Sequence, residues 1–196
     1  MRILYLHGLA SSKESRTAKA LAEQLPEDDV LAIDIPLGPY DAVSAIFKAI
    51  CSFHPDMIVG TSLGGFYAML FEGPWKVLIN PAMRPDEEIA KVLGSYGEHK
   101  YLKKREDGAE TFVYTKEHEM EFKEIRKHFE NAINDFDNIS ETYAIFGCND
   151  KVINDRGHFN KHFEPRHATT FIGEHRLSEG NIKHILIPLI KDIKGK

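Results

Sequence analysis

Along the chain, short uninterrupted apolar runs alternate with longer amphipathic segments. The runs are ILYLH (3–7), VLAIDI (30–35), MIVGT (57–61), KVLIN (76–80), TYAIFG (142–147) and ATTFIG (168–173). Continuous rather than alternating hydrophobicity predicts strands buried on both faces, as in a parallel sheet. The amphipathic segments predict helices near residues 16–24, 41–52 and 63–71. Strand and helix therefore alternate. This order predicts an α/β fold in one domain over 1–196, with a mostly parallel, doubly wound sheet and helices on both faces.

One stretch breaks the alternation. Residues 86–137 hold helical patterns near 86–93 and 116–136, separated by GSYGEHKYLKKREDGAETFVY with glycines at 94, 97 and 108. The stretch reads as an ordinary crossover between strands or as a small helical lid, since long irregular loops in compact domains often cover active sites.

Composition narrows the class. Hydrophobic residues at 42% and charged residues at 28% favour neither a membrane nor a disordered chain. The net charge of −5 opposes nucleic-acid binding, and no basic run exceeds Lys103-Lys104-Arg105. The first apolar run begins at once with no signal-peptide pattern, and no long apolar window follows, so a cytoplasmic protein with no membrane partner is expected. Cys51 and Cys148 lack CxxC spacing and read as reduced core thiols. Oligomeric state is not legible.

The chemistry starts from Gly60-Thr61-Ser62-Leu63-Gly64-Gly65, between the run MIVGT and a helical segment. A serine that attacks a carbonyl needs exposure, a base, an orienting acid and donors for the oxyanion. A G-x-S-x-G turn from strand to helix meets the first demand: Gly60 and Gly64 remove side chains that would collide, and Gly65 lets the helix pack close. The backbone N–H of Leu63, at the positive end of that helix, is one oxyanion donor. His7-Gly8-Leu9 follows the first strand, and its turn offers the N–H of Leu9 as the second. HG also reads as a plain strand-ending turn.

Ligands in open α/β sheets gather at the carboxyl ends of strands. Asp150 follows TYAIFG and His175 follows ATTFIG. Ser62, Asp150 and His175 thus run in the chain order Ser, acid, His of an α/β-hydrolase. Asp34 precedes the serine and Asp155 reads as a helix cap. Glu174 adjoins His175 too closely to orient it, and Cys148 reads as a packed small hydrophobe. His158 and His162 lack the glutamate of H-E-x-x-H, and in the acidic stretch of Glu117, His118, Glu119 and Glu121 residues 117, 118 and 119 point to different sides of a helix, so no metal is called for.

HGLASS, GTSLGGFYA, VLINPAMRP, GCNDKVI and GEHRL, in that order over nearly the whole chain, resemble the small YqiA-like esterases of the α/β-hydrolase superfamily. The resemblance implies Ser62 as nucleophile, His175 as base, Asp150 as its partner, and short-chain acyl esters or similar activated acyl compounds as substrates. Asn80-Pro81-Ala82 matches the family's strand end beside the nucleophile, and residues 95–120 match least. The expected activity is carboxylester hydrolysis without cofactor. A thioesterase or acyltransferase with the same triad, and a hydrolase-fold protein that binds without turnover, remain alternatives. The absence of a large cap domain predicts a shallow site.

Overall fold

The computed structural model describes residues 1–132, 139–153 and 155–195. The first half contains β1 (Arg2–Leu6), α1 (Arg16–Gln24), β2 (Asp29–Ala32), α2 (Pro39–Phe53), β3 (Met57–Thr61), α3 (Leu63–Ala68) and β4 (Trp75–Ile79). Then come α4 (Pro85–Leu93), β5 (Gly97–Lys100), β6 (Thr111–Tyr114), α5 (Lys116–Ala132), β7 (Thr142–Gly147), α6 (Arg156–His162) and β8 (Ala168–Phe171). A last helical run joins α7 (Glu179–Asn181), a π turn at Ile182–Leu186 and α8 (Ile187–Lys194).

Six strands form one parallel sheet in the order β2-β1-β3-β4-β7-β8. Alternate residues of each strand feed opposite cores. Leu4, Leu6, Ile58 and Leu78 meet Ile46, Phe66, Phe122 and Phe129 from α2, α3 and α5. Ile3, Tyr5, Val59 and Val77 meet Leu21 of α1 and Ile182, Leu186 and Ile190 of the last helical run. Burial on both faces explains the uninterrupted apolar runs and makes the sheet doubly wound.

The insertion between β4 and β7 is not purely helical. Residues 97–100 and 111–114 pair as an antiparallel hairpin in the stretch expected to be irregular. Its strands are short and half-solvated: Phe112 and Tyr114 point inward while Thr111 and Val113 are exposed. Four residues of alternation among many charges give a weak strand signal. Helix α5 buries Phe122, Ile125 and Phe129 in the main core, so the base of the insertion is a structural crossover. The expected end of that helix, residues 133–136, lies outside the described residues.

The last helical run was not anticipated. Its N-terminal signal is nevertheless present, since Ser178 and Asn181 form a capping box. The cysteines correct an expectation: Cys51 and Cys148 are both exposed rather than packed in the core. Among the described residues, no helix is long and apolar enough to cross a membrane.

Candidate active site

Ser62 sits between β3 and α3 with φ 53° and ψ −117°, a conformation that L-residues rarely adopt. The surrounding backbone holds it there. Its N–H donates to Ile79 O at 2.8 Å, and its carbonyl accepts from Gly65 N at 2.9 Å and Ala82 N at 3.1 Å. The turn closes only over bare backbone. A Cβ on Gly60 would lie 2.4 Å from Gly64 O, and one on Gly64 would lie 2.1 Å from Leu6 O.

The turn after β1 faces the serine. Gly8 lies against it, so that a Cβ there would stand 3.1 Å from Ser62 Cβ. His7 is buried and locks this turn from within: its Nε2 accepts from Ile35 N at 3.0 Å, which leaves Nδ1–H to donate to Gly8 O at 2.8 Å. Burial drives its pKa down to about 4, against the pull of the Gly8 hydrogen bond, so the ring is neutral. The N–H groups of Leu9 and Leu63 donate to no other group among the described residues.

His175 and Asp150 meet at the ends of β8 and β7. His175 Nδ1–H donates to Asp150 Oδ2 at 2.7 Å, while Asp150 Oδ1 accepts from Val152 N at 2.8 Å and Ile153 N at 3.1 Å. Burial raises the Asp150 pKa, but the hydrogen bond and charge of His175 and the two N–H groups outweigh it, and the net shift is downward. A carboxylate so held keeps the imidazole in one tautomer with Nε2 free of its proton.

Ser62 and His175 line one cavity of about 190 Å³, whose walls include Tyr5, Leu9, Leu102 and Leu177. Among the described residues no hydrogen bond joins Ser62 Oγ to His175. Such contacts are often loose before substrate binds. The cavity is smaller than the roughly 300–1,000 Å³ usual for small-molecule pockets.

One residue that binds these loops together escaped sequence reasoning about roles. Asn80, at the end of β4 with φ 43°, is buried. Its Oδ1 accepts from Gly147 N at 2.7 Å, and its Nδ2 donates to His175 O at 2.9 Å and Glu174 O at 3.3 Å. Asn80 therefore ties β4 to the loops carrying Asp150 and His175. Its place in the NPA motif was visible, but partners 67 and 95 residues away in sequence were not.

The rival residues have other partners. Asp34 accepts from Lys13 N and Glu106 N, each at 2.7 Å. Asp155 stands at the N-cap of α6, as expected, but its side chain makes no cap hydrogen bond. It accepts instead from Met83 N at 2.7 Å and Arg84 Nη2 at 2.9 Å. Beside it, burial first, and then the hydrogen bond and charge of Asp155, push Glu88 up to about 9. The rings of His158 and His162 lie near each other on α6, tilted by 49° with centroids 5.2 Å apart. No group of three or more His, Cys, Asp or Glu among the described residues is arranged to hold a metal ion.

The fold recurs in solved structures. Est1E from Butyrivibrio proteoclasticus is similar at a TM-score of 0.72 and 16% identity, covering 100% of this chain and 88% of that one. A structure from work on LipS and LipT, two metagenome-derived lipolytic enzymes, is similar at 0.68 and 16%, covering 100% and 94%. The monoacylglycerol lipase of Paleococcus ferrophilus is similar at 0.64 and 14%, covering 98% and 93%. These likenesses establish the α/β-hydrolase fold. No curated protein sequence matches the chain. The model of the Uncharacterised protein family (UPF0227) matches residues 2–186, and the chain belongs to that family.

Proposed function

We propose that the protein is a serine esterase that cleaves small acyl esters through Ser62, His175 and Asp150. The observation that carries this reading is the 2.7 Å bond from His175 to Asp150 at the rim of the cavity that Ser62 enters from its strained turn. In the mechanism, His175 Nε2 takes the Ser62 proton as Oγ attacks the ester carbonyl. The N–H groups of Leu9 and Leu63 receive the oxyanion, and Asp150 stabilises the imidazolium. Collapse of the tetrahedral intermediate transfers the proton from His175 to the departing alkoxide and leaves an acyl-enzyme. Water, deprotonated by His175, then releases the acid. His7 and Gly8 shape the turn that presents Leu9, and Gly60 and Gly64 permit the turn that presents Ser62.

The insertion reading divides in two. Its helices serve as crossover, while Leu102 and Lys103 from the hairpin tip line the cavity and act as a partial cover. The similar structures include lipolytic enzymes and a monoacylglycerol lipase, which supports ester hydrolysis as the reaction. Hydrolysis of p-nitrophenyl acetate and butyrate tests it. Ser62→Ala is expected to lower kcat by about 10⁴-fold or more. Undiminished turnover by that variant would end the assignment. A thiol or alcohol acceptor that outcompetes water would instead mark acyl transfer through the same groups.

A further inference from the structure

The cavity is charged against the trend of the molecule. The chain carries 25 basic and 30 acidic residues, yet three cationic side chains, Arg16, Lys103 and Arg176, line the cavity and no carboxylate does. None of the three belongs to an ion pair among the described residues; Arg16 makes only a long bond, 3.4 Å, to Leu177 O. Two cations close to Arg16 in sequence are neutralised. Lys13 pairs with Glu106 and Lys19 with Glu14. Arg16 and Lys103 also face the adjoining groove, where Glu14, Glu23 and Glu179 lie among Lys19 and Lys183. These three exposed cations, none in an ion pair among the described residues, thus bring positive charge to the cavity beside Ser62.

The three cations come from separate elements. Arg176 follows His175 directly, Arg16 opens α1 and reaches the same loop through Leu177, and Lys103 descends from the hairpin tip. His175 delivers the proton to the departing alkoxide, so groups attached to its loop face the alcohol half of the ester.

We propose that the ester bound here carries an anionic oxygen group, carboxylate or phosphate, on its alcohol half, and that Arg16, Lys103 and Arg176 select it. The inference rests on Ser62 being the nucleophile. Guanidinium and ammonium donors around one small cavity suit such an anion by charge and by hydrogen bonding.

The test compares phenyl acetate with 3-acetoxybenzoate and 3-acetoxyphenyl phosphate, which share an acyl group and a phenolic leaving group. At low ionic strength the better anionic ester is expected to exceed phenyl acetate in kcat/KM by about tenfold, and the ratio is expected to shrink with added salt. The triple variant Arg16→Gln/Lys103→Gln/Arg176→Gln is expected to bring the ratio close to one. Taking a ratio cancels any loss of folded enzyme. A ratio near one in the unaltered protein, or one that survives the triple substitution, overturns the proposal. So does a preference confined to an anion on the acyl half, read with mono-p-nitrophenyl succinate against p-nitrophenyl butyrate. Failure of the serine reading is distinct: Ser62→Ala would then leave hydrolysis of all these esters intact.

Discussion

The carboxyl edge of the sheet and the tip of the insertion that rests on it are held in different ways. At the edge, polar side chains are committed to fixed partners: His7 to Gly8 and Ile35, Asn80 to Gly147 and His175, Asp150 to His175 and two backbone N–H groups. The tip, residues 101–110, docks through fewer contacts. Leu102 N donates to Ala10 O, Glu106 N to Asp34, and Arg105 Nη1 to Ile35 O, and the Glu106 carboxylate pairs with Lys13 at the surface. Leu102 and Lys103, which reach the cavity, are exposed. Groups that must keep their geometry through a reaction are over-determined, whereas groups that meet variable parts of a substrate sit on a lightly tethered loop. The edge should therefore govern kcat and the tip KM.

Asp150→Asn tests the edge most severely. An amide at 150 leaves His175 without its anionic partner and permits the wrong tautomer, so kcat is expected to fall by about 10³–10⁴-fold with the fold intact. Steady-state kinetics beside circular dichroism would check both parts. Asn80→Ala comes next. It frees the His175 carbonyl and the Gly147 N–H, with an expected loss of about 10²-fold in kcat, little change in KM, and about 1–3 kcal/mol of stability. Loss of stability alone, with kcat per folded molecule unchanged, would mean that Asn80 only packs.

Asp34→Ala bears on the tip. The carboxylate bridges Lys13 N and Glu106 N, so its removal is expected to raise KM several-fold while kcat stays within about twofold, at a cost of about 1–2 kcal/mol. A fall in kcat comparable to that of the edge variants would erase the division between the regions.

Stability rather than activity is at issue where the insertion joins the edge. Glu88 on α4 is raised from 4.5 to about 9 by burial and by Asp155, so the folded protein holds a proton that the unfolded chain releases. Its contribution is full below about pH 4.5 and is lost as pH rises toward about 9. Glu88→Gln, which keeps a neutral group there, is expected to flatten that decline. Denaturation midpoints at acid and alkaline pH would measure it, and an unchanged slope would remove Glu88 as its source.

This contrast also marks what the sequence could reveal. The buried strands announce themselves as uninterrupted apolar runs, and β3 and β7 have the expected ends. Strained Ser62 was legible because its glycines are adjacent in the chain, and Asp150 and His175 because strand ends point to one edge. The hairpin was hidden because four-residue strands with one wet face carry little periodicity. Asp155 resembled a cap in sequence, yet its buried carboxylate is claimed by Arg84 and Met83, partners supplied only by folding.

The central claim is that the turn at residue 62 presents a hydroxyl that His175 and Asp150 activate. Fluorophosphonate labelling followed by peptide mass spectrometry tests this directly. The account predicts a single adduct on Ser62, formed in step with loss of esterase activity and strongly slowed by Asp150→Asn. No adduct, or an adduct elsewhere while Ser62 stays unmodified and activity disappears, would contradict it.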